Sequence, residues 1–165
     1  MVDTRVSNTI HIREFLPGDP SLVVHLHMML YQRQYGFKGI FEHYVMAPMA
    51  EFIRDHTGSQ LWVAVDQETV VGSIAVVRST SASAQLRWFA VEDGLQGQGI
   101  GSRLMETALR FCRDHNYMHI QLWTIDMLDA ARHLYQREGF RPTETKENRE
   151  WTDNILIEEK WERWG

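Results

Sequence analysis

A single cysteine, Cys112, leaves this 165-residue chain without an internal disulfide. Small disulfide-stapled secreted folds are thereby excluded. No apolar run approaches the ~18 residues that a membrane-spanning helix needs. The opening MVDTRVSNTIHI lacks the apolar core of a signal peptide, so the expected compartment is the cytoplasm. Basic charge is short: 17 Lys and Arg stand against 22 Asp and Glu, a net charge of −5 with a pI near 5.9. That balance argues against nucleic acid as a main partner. Repeats, low-complexity tracts and long linkers are absent, so residues 1–165 are expected to form a single domain. Metal-binding patterns are missing too. There is no HExxH and no Cys/His cluster, and His25 and His27, two residues apart, diverge by about 200° on a helix. No metal site is expected.

What remains, 44% apolar and 24% charged, is ordinary for a globular chain. TIHIREFL (9–16) alternates Ile10, Ile12 and Glu14 against His11, Arg13 and Phe15, and predicts a first strand stopped by PGDP. Ser21 reads as the cap of a helix with Leu22, Leu26, Met29 and Leu30 at helical spacing, ending near QYGFKG. A second helix is expected over 41–55, kinked or split at Pro48. Then the period changes. QLWVAVD (60–66), TVVGSIAVVRS (69–79) and AQLRWFAVE (84–92) are rich in β-branched and aromatic residues and predict an antiparallel meander.

Gly99 or Gly101 opens a helix running to about His115, with Leu104, Ala108 and Phe111 inward and a Glu106–Arg110 pair outward. Cys112 within it reads as a small buried hydrophobe. HIQLWTI (119–125) is another strand. Asp126 reads as the cap of a helix over 127–138, stopped by Gly139. The tail supplies two more strands split by KENRE. The order β-α-α-β-β-β-α-β-α-β-β holds one central βαβ crossover. The expected fold class is α/β of the α+β kind, with about four helices and about seven strands in a mixed, mostly antiparallel sheet.

LQGQGIGSRL (95–104) places glycine at every second position, which suits neither strand nor helix. A P-loop needs Gly-Lys-Ser/Thr, and residues 40–145 contain no lysine. The dinucleotide pattern fails at its third position in either frame. The pattern Q/R-x-x-G-x-G/A fits Gln96, Gly99 and Gly101. Such glycines let successive N–H groups turn inward as an anion nest, and a helix start behind them adds a partial charge of about +0.5. A pyrophosphate can be held there without lysine. A plain strand-to-helix turn would use one glycine, at most two.

With the strand ending at Val91 before it and ARHLYQREGF (131–140) after it, this segment resembles the GCN5-related N-acetyltransferase (GNAT) superfamily. The resemblance covers the whole order of elements. It implies a GNAT fold and an N-acetyltransferase that uses acetyl-CoA as donor substrate, with direct attack of an amine on the thioester. It implies that the backbone of Gln96, Gly97, Gln98, Gly99, Ile100 and Gly101, with the Ser102 hydroxyl, holds the pyrophosphate of coenzyme A. Arg103 either reaches the phosphates or is a solvated helix residue. LRWFAV is implied to splay from the strand after the helix, so that Phe89, Ala90 and Val91 offer backbone groups to the pantetheine arm. One N–H would face the thioester oxygen, where charge develops. The Phe89 and Val91 side chains read as core.

Tyr135 matches the family's usual general acid, which protonates the leaving thiolate. Leu128, Ala131, Leu134 and Tyr135 share an apolar face, so packing is the competing reading. His133 and Gln136 are expected to face elsewhere. Leu128 stands where many members carry a cofactor-contacting asparagine. An ammonium of pKa ~10.4 is neutral in only about one molecule per few thousand at pH 7, so a base is needed. Some members place a glutamate on the strand matching LRWF, but Arg87 and Trp88 stand there. Glu92 is the candidate base, acting through water; a solvated strand-end residue is its other reading. Glu42, His43 and Glu51 are further candidates.

LHMMLYQRQYGFKGIFEHYV gathers Tyr31, Tyr35, Phe37, Phe41 and Tyr44. They read either as core or as an aromatic pocket for a small amine, the first two helices being the family's usual acceptor wall. With LWT and LDAARHLY, this segment resembles the subgroup fused to MarR-type regulators, here expected without the DNA-binding half. The acceptor is expected to be a primary amine of a small molecule or peptide, with no nucleic-acid or membrane partner. The rival reading is a non-catalytic acyl-CoA-binding sensor. The tryptophans of KWERW (160–164) either pack the last strand or mark a homodimer contact.

Overall fold

The computed structural model describes residues 9–165. The reading of the N-terminal stretch as free of a signal peptide rests largely on residues 1–8, which lie outside the described residues.

The elements run β1 (Ile10–Glu14), α1 (Asp19–Tyr35), α2 (Ile40–Arg54), β2 (Gln60–Asp66), β3 (Thr69–Arg78), β4 (Ser83–Val91), a short 3-10 turn (Asp93–Leu95), α3 (Ile100–Asp114), β5 (His119–Ile125), α4 (Asp129–Arg137), β6 (Arg141–Asn148) and β7 (Leu156–Trp164). They build one seven-stranded sheet in the order β1-β2-β3-β4-β5-β7-β6. Neighbours are antiparallel except β4 and β5, which α3 joins as a parallel crossover. The expected order and sheet type are therefore observed.

Each face of the sheet is covered. Ile100, Leu104, Met105 and Ala108 of α3 pack on one face with Leu86, Leu122, Tyr135, Phe140 and Trp161. Val23 and Met28 of α1, with Phe41, Met49 and Phe52 of α2, pack on the other with Ala75, Trp88 and Ile125. Cys112 is buried within the first layer, and burial pushes its thiol up to about 12. Complete burial of a side chain such as Leu104 contributes about 1.5–3 kcal/mol. Among the described residues, no helix is long and apolar enough to cross a membrane.

Local details differ from the sequence expectation. Helix α1 begins at Asp19, with Pro20 in its first turn, so Ser21 lies inside it. The Asp19 carboxylate accepts bonds from the Leu16 N–H at 2.7 Å and from Arg13 at 2.6 Å, fastening the helix start to β1. The inward face of α1 is Val23, Val24, Leu26, His27, Met28 and Leu30, while Leu22 and Met29 are exposed. This helix is apolar nearly all round, so spacing alone selects no face. Helix α2 is one element that contains Pro48. Helix α4 starts at Asp129 after Leu128, not after Asp126, because the Asp126 N–H is still bonded to Ile157 of β7 at 3.0 Å. KEN belongs to β6, an exposed edge strand, and the turn falls at 149–155. There Asn148 Oδ1 accepts the N–H groups of Glu150 and Trp151.

Candidate active site

Strands β4 and β5 pair only at Ser83–His119, Ala84–Ile120 and Gln85–Gln121. Beyond that rung each stays bonded to its outer neighbour, β3 or β7, and the two diverge. A cleft of about 650 Å³ occupies the divergence, and Phe89, Val91, Leu122, Tyr135 and the glycine turn are on its wall. A bulge aims the β4 side. The register slips between Ser73 and Ala75, Trp88 adopts φ +49°, and the Ser73 hydroxyl donates to the Trp88 carbonyl at 2.6 Å. A bulky residue in that backbone region is uncommon, and the hydroxyl holds it there.

Backbone direction alternates along a strand. The Glu92 N–H donates to Val71 of β3 at 2.8 Å. Ala90 therefore also turns to β3, while the N–H and C=O of Phe89 and the N–H of Val91 face the open gap. Of the three β4 residues expected to contact the donor, Ala90 pairs with Ser73 of β3 and also borders the cleft.

The glycine turn sits at the mouth. Gly97 and Gly99 have φ +83° and +82°, the left-handed region that glycine enters without strain. Gly99 caps α3 without any side-chain bond. From 96 to 102, the backbone N–H groups find no acceptor among the described residues. The Gln96 amide donates to the Val91 carbonyl at 3.1 Å, tying the turn to the strand end. A Cβ at Gly101 would lie 3.4 Å from the Phe89 ring, so that glycine lets α3 approach β4 closely. Arg103 bonds to the Ile10 carbonyl at 3.2 Å and does not border the cleft. Arg137 does, and it donates to the Ser102 hydroxyl at 3.0 Å. The sequence reading missed Arg137, whose one signal was its place two residues after Tyr135.

Tyr135 is buried against Phe89, Phe140 and Trp161, with ring centroids 6.0–6.2 Å apart. Its hydroxyl has no hydrogen-bond partner among the described residues. Burial raises its pKa well above the ordinary tyrosine value, and the nearby Tyr31 phenol adds to the rise. Burial likewise pushes Tyr31 up to about 12. Leu128 borders the cleft, as does His133, contrary to expectation; Gln136 lies outside it.

The opposite wall is aromatic. Tyr31, Tyr35, Phe37, Phe41 and Tyr44 all border the cleft, and they also pack on one another, with Tyr31 5.1 Å from Phe37. Core and pocket readings therefore both hold. Trp151, from the β6–β7 turn, joins them 5.1 Å from Phe41. Among the described residues, three buried polar atoms on cleft residues have no partner: His27 Nε2, Thr124 Oγ1 and Trp151 Nε1. The other His27 nitrogen bonds to the Val23 carbonyl at 2.8 Å, and burial pushes its pKa down to about 4.

The expected base is not on this wall. Glu92 is held by Arg33 at 2.6 Å, and neither it nor Glu42, His43 or Glu51 borders the cleft. The buried carboxylate that does is Glu158 of β7, which accepts a bond from Asn148 at 3.3 Å. Among the described residues there is no cluster of metal-binding side chains.

A mixed sheet opened at its one parallel pair, with an uncapped glycine turn at the opening, defines a GNAT-type fold. A solved acetyltransferase of the GNAT family from Staphylococcus aureus Mu50 superposes with a TM-score of 0.76 at 18% identity, covering 94% of this chain and 98% of that one. The model of the acetyltransferase (GNAT) domain matches residues 57–142, and the chain belongs to that family. Human N-acetyltransferase 8B is 32% identical over 103 residues, 59% of this chain and 45% of that protein. N-acetylaspartate synthetase of Danio rerio is 35% identical over 100 residues, 60% of this chain and 36% of that protein. The chain thus spans less than half the length of these curated relatives.

Proposed function

We propose that the chain is one N-acetyltransferase domain that moves the acetyl group of acetyl-CoA to a primary amine of a small molecule or peptide. The observation that carries this reading is the open gap past Gln85 and Gln121, bordered by free backbone groups, beside the uncapped start of α3. Acetyl-CoA supplies the acetyl group as an activated thioester. The free N–H groups of 96–102, with Ser102 and Arg137, suit the pyrophosphate of coenzyme A. The gap-facing groups of Phe89 and Val91 suit an extended amide arm, and one N–H serves as donor to the developing oxyanion.

Tyr135 keeps its proton at neutral pH and gives it to the departing thiolate. The amine nitrogen forms the new C–N bond as the C–S bond breaks. Glu158 accepts the proton that the amine must lose, and Tyr135 is reprotonated from solvent. The aromatic wall of α1 and α2 receives the acceptor. A cytoplasmic setting and a homodimer using the exposed Trp164 belong to the same reading. The likeness of this wall to the subgroup fused to MarR-type regulators supports the alternative, an acyl-CoA sensor without turnover. The purified protein with acetyl-CoA and an amine panel decides. An amide product supports transfer, and binding of coenzyme A without any product supports the sensor.

A further inference from the structure

Arg87 carries information about the acceptor. It pairs with Ala75 across β3 and β4, and Ala75 belongs to the apolar layer under α1 and α2. The guanidinium therefore stands on the aromatic side of the sheet, half-buried on the cleft wall. The other formally charged side chains of that wall are occupied. Asp129 faces Arg132 at 3.8 Å, Arg137 holds Ser102 at 3.0 Å, and Glu158 is bonded by Asn148 at 3.3 Å. Arg87 has no hydrogen bond or ion pair among the described residues. It lies over the Trp88 ring, 5.9 Å from the ring centroid.

Burying an unpaired cation is costly, and an anion that enters the cleft removes the cost. The phosphates of the donor are not that anion. The glycine turn begins past Val91, four residues and roughly 13 Å along the strand from Arg87, and Arg137 already serves it.

We propose that Arg87 binds the carboxylate of the acceptor, and that the acceptor is a free amino acid with an aromatic or apolar side chain. This rests on the acetyltransferase reading above. The guanidinium fork matches a two-oxygen anion. Glu158 pairs with Ile125 and so shares the same face; Asn148 at 3.3 Å and Lys146 at 3.8 Å both meet its Oε2, which leaves Oε1 for the ammonium group. The ring-lined wall takes the side chain. A simple amine or a peptide N-terminus brings no carboxylate to this place.

Phenylalanine, phenylalanine amide and phenethylamine share ring and amine and differ at the carboxylate. At saturating acetyl-CoA, kcat/KM for phenylalanine exceeds that of the other two by roughly 10- to 100-fold. Arg87→Gln removes this preference by bringing kcat/KM for phenylalanine down to that of the amide, and Arg87→Lys restores part of it. A second readout needs no chemistry: tryptophan fluorescence of the coenzyme A-loaded protein titrated with phenylalanine. Wild type and Arg87→Lys bind, and Arg87→Gln does not. This arm stands even if no amine is turned over, so failure of acetyl transfer is told apart from failure of the Arg87 assignment. Equal use of acid and amide by wild type overturns the proposal. So does phenylalanine binding that is absent in wild type or equal in wild type and Arg87→Gln.

Discussion

Gln85 and Gln121 form the last rung between β4 and β5, and past them the two strands part. Open backbone inside a sheet is costly unless something pairs with it. Here β3 and β7 hold the outer edges, the Ser73–Trp88 bond fixes the bulge, and α3 closes the near end. The opening is thus built into the fold.

Gly99→Val should abolish binding of coenzyme A. Its φ of +82° costs a non-glycine residue about 1–2 kcal/mol. Nothing lies within 4 Å of the added Cβ, so the fold itself has room. Titration calorimetry checks this, and wild-type affinity in the variant would remove the turn from the binding site.

Tyr135→Phe keeps the ring contacts with Phe89, Phe140 and Trp161 and deletes the proposed acid. We expect kcat to fall roughly 100-fold, with affinity for acetyl-CoA within about twofold. Because burial raises the phenol's pKa, wild-type kcat should show no loss from tyrosine ionisation up to about pH 10. Unchanged turnover in the variant excludes Tyr135 from the chemistry.

Glu92→Gln and Glu158→Gln should part company. Glu92 is tied to Arg33 off the cleft in a partly exposed ion pair worth under about 1 kcal/mol, so kcat should stay within about twofold. Glu158→Gln should lower kcat at pH 7 by roughly 100-fold, with recovery as pH rises and more of the amine is neutral. The reverse ranking would return the base to Glu92.

His27 should make stability fall in acid. Its folded pKa, about 4, lies below the ordinary 6.5 because it is buried, so the unfolded chain takes up the proton first. The contribution is complete above about pH 6.5 and is lost as pH falls toward 4, by about 3 kcal/mol at the lower end. Urea unfolding of wild type and His27→Leu across this window should show a shallower slope for the variant. Parallel slopes would mean that His27 is not the group responsible.

Most of the sheet is legible in the sequence because its signals are local. β-branched runs and turn residues mark β2, β3 and β4, and the glycine pattern marks the start of α3. Tyr135 is singled out by the family resemblance of ARHLYQREGF, while its spacing to Leu128 and Ala131 places it on the apolar face. What stays hidden is set by contacts between distant segments. Glu158 reaches the cleft only because β7 pairs with β5, and Trp151 only because the β6–β7 turn folds under α2. Arg137 replaces Arg103 at the turn because the end of α4 reaches Ser102 at the start of α3, while Arg103 is drawn to β1. Ala90 turns from the gap because the Glu92–Val71 bond sets the phase of the strand. Asp126 cannot cap α4 while β7 holds its N–H.

The most direct test of the whole account is thiol release from acetyl-CoA by the purified protein in the presence of an amine panel, with amide product identified by mass spectrometry. The account predicts acceptor-dependent release matched one for one by acetylated amine, lost in both Gly99→Val and Tyr135→Phe. Tight binding of coenzyme A with no acetylated product from any amine, amino acid or peptide would contradict it.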